Sequence, residues 1–260
     1  MDERFAQQPA HFALGRYVEY LAYFHRSYFS DAERCVRDSI ASAPTTNSET
    51  GLAMVLVTAK GDISGAIKAL DGIPAADRSE HRAIWVSAYV HLLARQPEEA
   101  LKDMSRMSAD YIQDNWFRGP RAYWVGRAQL QAGRPAAARI AFEAGLTVVD
   151  ARLKQDSENL ELRIDRVQLL AWLGREEDAM SEARTVLELQ PKTNYWFVSP
   201  VLVYAVLGRR DDALPLLKNL ASPAPGQPVG WPLTSALLKL DPLWDKLRDD
   251  PRFAALIAGR

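Results

Sequence analysis

Apolar residues recur along most of this chain at the spacing of a helix that buries one face. In one clear stretch they are Leu173, Met180, Ala183, Val186 and Leu187, which fall on a single helical face. Alternation of apolar and polar residues over several positions, which is typical of strands, is rare. The pattern therefore predicts an all-α chain without a β-sheet.

A small residue repeats within this helical pattern at a nearly constant interval. Successive alanines are separated by 34, 34, 38, 41 and 34 residues, and they are Ala32, Ala66, Ala100, Ala138, Ala179 and Ala213. One helical turn after each alanine stands a further apolar residue on the same face, namely Val36, Leu70, Met104, Phe142, Ala183 or Leu217. A larger side chain at the alanine would push two packed helices apart, so each alanine marks a helix crossing.

Five residues before each alanine lies a predicted turn between two helices. The turn positions are Ser27, Gly61, Arg95, Gly133, Gly174 and Gly208. Glycine is favoured there because the residue after a helix C-terminus often adopts the left-handed conformation. The chain is thus predicted to contain six helix-turn-helix units between about residues 13 and 227.

This period and pattern resemble the tetratricopeptide repeat (TPR). The matching residues are Gly126, Ala138 with Phe142 four residues later, Tyr204, and the unit-ending prolines Pro44 and Pro191. The resemblance implies a right-handed superhelical α-α solenoid of about six helix pairs, with at least twelve helices. It also implies that the chain binds a protein or peptide partner.

Two intervals depart from the period and predict insertions. The interval of 41 residues follows Ala138, where no helix breaker interrupts the sequence, so the second helix of unit four should be about two turns longer than the others. The interval of 38 residues contains SADYIQDNWFRGP, which predicts a longer loop near Asp114 to Pro120. Such an insertion is either functional or a tolerated surface loop.

The composition of the chain changes after the sixth unit. We predict a solenoid over residues 1–227, and a Pro/Gly-rich connector with C-terminal capping helices over residues 228–260. Asp241-Pro242 and Asp250-Pro251 should each start a short helix. The run KLDPLWDKLRDDPRFAAL also resembles the end of TPR arrays in bacterial multidomain signalling proteins that carry kinase, cyclase or winged-helix domains. This resemblance implies a regulatory or sensory module, and the chain is then part of a longer protein.

Composition and charge narrow the choice of partners and compartment. Lys and Arg number 32 against 33 Asp and Glu in 260 residues, so direct binding to nucleic acid is not expected. The nearly apolar run from Tyr195 to Leu207 is too short to span a bilayer, and membrane insertion is not expected. The single cysteine, Cys35, is interpreted as a buried hydrophobe. The expected location is the cytoplasm, or outside it if a longer parent protein carries a membrane-spanning segment.

The sequence contains none of the common catalytic motifs, among them the P-loop, G-x-S-x-G and H-E-x-x-H. The four histidines are not spaced as a helical metal pair. Carboxylate pairs such as Glu176-Glu177 fall in the first turn of predicted second helices, where the helix dipole favours negative charge. We therefore expect no catalytic residues, no metal and no cofactor, and an enzyme is the least favoured class of protein.

Unit five departs from the TPR pattern. Arg163 and Arg166 stand where the family has apolar residues of the first helix. Buried unpaired guanidinium groups are unfavourable. Either these arginines pair with acids such as Asp165 or Glu158, or the helix is rotated and they line the concave surface.

The candidate binding site is the concave surface, which in TPR arrays is built from the first helix of each unit. In this register its partner-binding residues are Tyr17, Leu21, Phe24, Trp85, Tyr89, Tyr123, Arg127 and Gln168. Aromatic side chains beside an arginine are typical of a binding hot spot, so the middle of this surface should hold an extended or helical peptide. One alternative is that these large side chains pack between neighbouring repeats, which would place the site elsewhere. Another is a module that only assembles or homodimerises.

Overall fold

The computed structural model describes residues 9–114, 116–189, 200–220 and 232–258, and it is an all-α solenoid of helix pairs. Each of the six units consists of a first and a second helix. Units one to three are α1 (Pro9–Phe24) with α2 (Phe29–Ser42), α3 (Thr46–Val55) with α4 (Ile63–Asp71), and α5 (His81–Leu93) with α6 (Pro97–Ser105). Units four to six are α7 (Arg121–Gln131) with α8 (Pro135–Leu153), α9 (Leu160–Trp172) with α10 (Glu176–Leu189), and α11 (Pro200–Leu207) with α12 (Arg210–Leu220). Helix α3 continues as a π-helical turn over Leu56–Lys60, and a short 3-10 turn spans Ala75–Asp77. The helices within the described ranges are all too short or too polar to cross a lipid bilayer.

The turns and helix crossings of the units lie where the repeat places them. All six predicted turn positions, including the non-glycine residues Ser27 and Arg95, have φ angles between 60° and 79°. All six repeat alanines are buried. Gly126 lies directly under the ring of Phe142, where a β-carbon would collide with the ring. The two helices of each unit therefore pack closely because small residues stand at their contact.

The two irregular intervals have different structural outcomes. Helix α8 has 19 residues, whereas the other second helices have 9 to 14, as the longer interval predicts. The other insertion contains a two-stranded antiparallel hairpin of β1 (Tyr111–Gln113) and β2 (Arg118–Pro120), so the prediction of a chain without any sheet was wrong here. Ile112 is fully buried, and buried peptide groups need partners, which the second strand supplies.

Unit five pairs its arginines with acids, although not with the acids named above. Glu182 of α10 accepts from Nη1 of Arg163 at 2.6 Å and from Nη1 of Arg166 at 2.7 Å. Nε of Arg166 also donates to Asp150 of α8 at 2.8 Å. Asp165 instead accepts from the hydroxyl of Tyr111 at 2.7 Å. Both arginines therefore face the neighbouring second helices and not the concave surface.

The C-terminal segment does more than cover the last unit. It forms α13 (Ser235–Leu240), a 3-10 helix (Pro242–Leu247) and α14 (Pro251–Ala258). Helix α14 packs on α12, as expected of a cap, but α13 packs on the π-helical turn of unit two and the 3-10 helix packs on α11. The segment thus reaches back across the solenoid. The predicted connector up to residue 231 lies outside the described residues, and the domain division stays a prediction.

Candidate functional site

The first helices of the six units form the inner surface of the solenoid, here called the groove. The eight residues predicted to bind a partner belong to four of these helices: Tyr17, Leu21 and Phe24 to α1, Trp85 and Tyr89 to α5, Tyr123 and Arg127 to α7, and Gln168 to α9. Leu21 is partly exposed, and the side chains of the other seven are buried. Two segments of the same chain cover the groove: the tail, residues 232–258, and the hairpin loop, consisting of Asp114, Trp116 and Phe117.

Arg127 lies at the centre of the half that the tail covers. Its Nη2 donates to Oδ1 of Asp241 at 2.5 Å, and the hydroxyl of Tyr89 donates to Oδ2 of the same carboxylate at 3.1 Å. The guanidinium carbon is 5.3 to 6.0 Å from the centroids of four aromatic rings, those of Tyr89, Tyr123, Trp124 and Trp172. This arrangement, here called the Arg127 pocket, is a guanidinium lined by aromatic rings and neutralised by one carboxylate of the tail.

Burial controls the protonation of the groups in the Arg127 pocket. The side chains of Arg127 and Asp241 are 5% and 4% exposed. Burial disfavours the charged guanidinium, but the carboxylate of Asp241 and the nearby tyrosine hydroxyls raise the pKa of Arg127 above its ordinary value. Burial, and then the charge of Asp241, raises the pKa of Tyr89 well above its usual range. Arg127 is therefore charged at neutral pH and Tyr89 remains a hydrogen-bond donor.

The tail has further anchors on both sides of Asp241. The hydroxyl of Thr234 donates to the carbonyl of Thr58 at 2.5 Å, within the π-helical turn. Towards the other end, Arg95 pairs with Asp245 through two contacts of 2.5 and 2.7 Å. Five apolar side chains of the tail beside these contacts are buried: Leu237, Leu238, Leu243, Trp244 and Leu247. Burial of these side chains is the main force that holds the tail in the groove.

The sequence around Asp241 explains why the carboxylate is presented in this way. Asp241 caps the 3-10 helix, and its Oδ1 accepts from the backbone N–H of Leu243 at 2.9 Å. Pro242 is the first residue of this helix and fits there because its missing N–H has no partner to lose. The Asp-Pro pair therefore starts the helix as predicted, and the same carboxylate neutralises Arg127.

Arg82 of α5 holds the hairpin loop over the other half of the groove. Its Nε and Nη2 donate to the two carboxylate oxygens of Asp114, both at 2.8 Å. Its Nη1 donates to the hydroxyl of Tyr17 at 2.9 Å and to Oδ1 of Asn47 at 2.8 Å. Burial raises the pKa of Tyr17 to about 12, although the charge of Arg82 opposes this shift. The ring of Trp116 lies 4.8 Å from the guanidinium of Arg82.

Aromatic stacking completes the contact between the hairpin loop and the groove. The ring of Trp116 is parallel to that of Phe24 at 6.4 Å and tilted against that of Tyr20 at 6.1 Å. Phe117 packs between three groove rings at 5.0 to 6.0 Å, those of Trp85, Tyr123 and Trp124. The insertion between units three and four is thus a structural part of the groove.

The expectation that the predicted groove residues form an open surface is corrected by these contacts. Trp85 is covered by Phe117, and Tyr89 and Arg127 are covered by the tail. Packing between neighbouring repeats, which was the alternative, contributes to this burial, because the rings of Trp85 and Tyr89 lie 6.0 and 5.5 Å from that of Trp124 in the next unit. Two segments of the chain then cover the groove further. The role of these eight residues in binding a partner stays a prediction. Substituting Tyr89 or Arg127 with alanine would disturb the folded structure, because both side chains contact the tail.

The sequence reasoning missed several residues that shape the groove. Asp241 was identified as a helix cap, and its ion pair with Arg127 was not foreseen. Arg95 gave a usable signal, since it is an arginine at a turn position where four of the six units have glycine. Trp116 gave a second signal, as a tryptophan inside an insertion. Arg82 gave none, because a first-helix arginine is unremarkable without its partners.

A polar cavity of about 520 Å³ lies beside the hairpin, apart from the Arg127 pocket. Its lining charges are already engaged, because Arg118 pairs with Glu161 at 2.7 Å and the guanidinium of Arg152 lies 4.2 Å from the ring of Tyr111. Among the residues that the structure describes, no group of three His, Cys, Asp or Glu side chains is placed to hold a metal ion. The Arg127 pocket is therefore the strongest candidate site.

No family model matches this chain, and no curated protein matches it. Among solved structures, the chain is similar to one reported in the functional characterization of Pseudomonas aeruginosa PilF, a TPR-containing protein. The superposition has a TM-score of 0.51 at 15% sequence identity, and it covers 93% of this chain and 99% of the other. This likeness concerns the fold, and it agrees with an all-α solenoid of TPR-type helix pairs.

Proposed function

We propose that this chain is a non-catalytic scaffold that binds a protein or peptide partner in the groove. One observation carries the proposal: the groove already holds a peptide-like segment, with a buried ion pair at its centre and apolar side chains on both sides. The TPR-type fold supports the same function, because stacked helix pairs create an extended concave surface suited to binding.

The side chains of the groove favour a binding hot spot, in which a few residues contribute most of the binding free energy. Aromatic rings bury a large area while few torsions become ordered, and arginine adds charge and directional hydrogen bonds. Tyr89, Tyr123 and Arg127 combine these properties within one pocket. A partner segment that inserts one acidic and one or two apolar side chains would match this surface.

A finer part of the proposal concerns the biological role. The tail sequence resembles the end of TPR arrays in bacterial multidomain signalling proteins, and this supports a regulatory or sensory module. In such a protein, binding in the groove would be communicated to an effector domain on the same chain.

Position-specific cross-linking tests the scaffold function. A photoreactive aliphatic amino acid replaces Leu130, a partly exposed residue of α7, or Ile140, which lies exposed on the second helix α8 of the same unit. In cells, we expect cross-links to a heterologous protein from position 130 and none from the matched position 140. Cross-links from position 140 alone would place the binding surface outside the groove.

A second candidate function is homodimerisation, and one observation favours it. Leu14 and Val18 of α1 are 61% and 57% exposed, and they lie one turn apart on the first helix of the solenoid. A second copy could cover this face. Light scattering separates the candidates, because the monomer has a mass of 29.1 kDa and a dimer would have about twice that value.

A further inference from the structure

We propose that the Arg127 pocket is a carboxylate-binding site for an acidic, aromatic segment of a partner protein, and that the tail is its resident occupant, which the partner displaces. This inference rests on the proposed scaffold function and names the chemistry of the partner. It also implies that the groove opens by release of the tail and that the free groove is not the resting state.

The pocket requires a carboxylate because of what surrounds the guanidinium. The four rings around Arg127 attract a cation but carry no full negative charge, and Asp241 supplies the counter-charge from a position 114 residues away in the sequence. When the tail leaves, water can hydrate the guanidinium, but a second segment that covers it again would bury an unpaired charge unless that segment supplies an anion. A displacing segment must therefore bring its own carboxylate.

The geometry favours a carboxylate over a larger anion such as a phosphoryl group. Oδ1 of Asp241 accepts from Arg127 and from the backbone N–H of Leu243, and Oδ2 accepts from Tyr89. Both oxygens thus have donors. A phosphoryl group would bring further anionic oxygens against aromatic rings, where they would lose water without gaining a partner.

The neighbours of Asp241 define the rest of the partner segment. Leu238 lies three residues before Asp241, and Leu243 and Trp244 lie two and three residues after it; all three side chains are buried. A segment with leucine, aspartate, leucine and tryptophan at this spacing would place the same groups in the same positions. We accordingly expect a partner that presents a short helical turn with one acidic residue between apolar ones.

The outer contacts of the tail are weak enough to permit exchange. Arg95 and Asp245 are 42% and 43% exposed, and the pair of Arg252 with Asp211 is also exposed. Such pairs contribute little to binding. The hold of the tail is therefore concentrated in Asp241 and the apolar side chains. Because the tail is tethered to the solenoid, its effective local concentration is on the order of millimolar, and a partner segment must compete against it.

Peptide exchange on the folded full chain tests the proposal. A protease site is placed at Gly226 in the connector, and the purified protein is cleaved while the tail stays bound. A fluorescent peptide of residues 232–258 is then added, and its anisotropy reports binding. We expect binding to the cleaved chain to be at least about tenfold tighter than to the uncleaved chain, because cleavage removes the tether.

Variant competitor peptides identify the group that is recognised, and they leave the solenoid unchanged. We expect the peptide with Asp241→Asn to compete at least about tenfold less well than the native peptide. The matched peptide with Asp249→Asn should compete within about twofold of the native one, because Asp249 is 88% exposed.

Three results would overturn the inference. Equal competition by the Asp241→Asn and native peptides would mean that the pocket does not recognise the carboxylate. Absence of exchange in a cleaved chain with an unchanged circular-dichroism spectrum would make the tail a permanent structural element. A doubled mass on cleavage would assign the tail to a second copy. In each case, the cross-linking test decides the scaffold function separately. Cross-links from position 130 to a heterologous protein would still support that function, and their absence would contradict it as well.

Discussion

Replacing Asp241 with asparagine would remove one negative charge from the centre of the groove and keep the size of the side chain. The amide oxygen can still accept hydrogen bonds from Arg127 and from the backbone N–H of Leu243. What disappears is the charge that neutralises a guanidinium with 5% exposure. The perturbation therefore tests mainly the electrostatic contribution of the tail, and its one further effect is that the amide nitrogen replaces the oxygen that accepts from Tyr89.

The expected magnitude follows from the burial of the pair. Removing one partner of a buried ion pair destabilises a protein by about 3 to 5 kcal/mol, because an uncompensated charge remains. The aromatic rings around Arg127 retain part of their attraction for the cation, which favours the lower end of this range. Release of the tail would allow water to hydrate the guanidinium, so the loss in the free energy of unfolding cannot exceed the free energy that holds the tail in the groove. We therefore predict a loss of about 3 kcal/mol in the free energy of unfolding.

Urea unfolding followed by tryptophan fluorescence measures this loss. Trp124 and Trp172 lie within 6.0 Å of the guanidinium carbon of Arg127, so their emission reports on the pocket. The matched control is Asp245→Asn, which removes the same charge from an ion pair with Arg95 that is about two-fifths exposed. We expect the control to lose at most about 1 kcal/mol.

Two results would refute this reasoning. A loss below about 1 kcal/mol for Asp241→Asn, equal to that of the control, would show that the tail does not neutralise Arg127. A double variant with Arg127→Met and Asp241→Asn provides the second test, since it removes both charges, keeps an oxygen that can accept from the N–H of Leu243, and should therefore restore most of the stability. If the double variant were as unstable as Asp241→Asn, the charge would not be the cause.

Other buried contacts give three further predictions. Trp116→Ala should lower the free energy of unfolding by about 2 kcal/mol in urea unfolding, because the ring covers groove aromatics, and an unchanged value would mean that the hairpin loop is not packed there. Glu182→Gln should lower it by about 2 kcal/mol in thermal unfolding, because Arg163 and Arg166 both donate to that buried carboxylate; an unchanged value would contradict this pairing. Burial raises the pKa of Asp165 well above 3.8, so the native state favours the protonated acid. The protonated Asp165 therefore adds a contribution to the free energy of unfolding that is fully present below pH 3.8 and is lost as the pH rises through the native-state pKa. Asp165→Asn should therefore be more stable than the native chain at pH 7, and the difference should shrink towards pH 4 in urea titrations. Parallel stability profiles for the two proteins over this pH range would contradict the prediction.

The repeat could be predicted from the sequence because its determinants are local. A turn residue and a small residue five positions later specify where one helix ends and where the next crosses it. Ser27 and Arg95 adopt the same left-handed turn as the glycines, which shows that register decides the conformation even where the residue type is unfavourable. The longer helix α8 follows from the same reasoning, since nothing in its sequence stops it.

The hairpin was not predicted, and the reason is physical. Strand pairing joins Tyr111 to Pro120 and Gln113 to Arg118, and segments of three residues carry too little alternation to be recognised. Their pairing depends on being pressed against α7, α8 and α9, where unpaired peptide groups would be buried. The packing of the surrounding helices therefore decided the outcome.

The sequence by itself determined the order of the helices, the six turns and which helices of the units form the inner surface. Whether that surface is open was decided by the tertiary structure alone. Arg127 and Asp241 are 114 residues apart, and Arg95 and Asp245 are 150 apart. They meet because the stacked units bring α5, α7 and α11 around a returning tail. Periodicity specifies which face of a helix is buried, but it cannot specify which distant segment buries it.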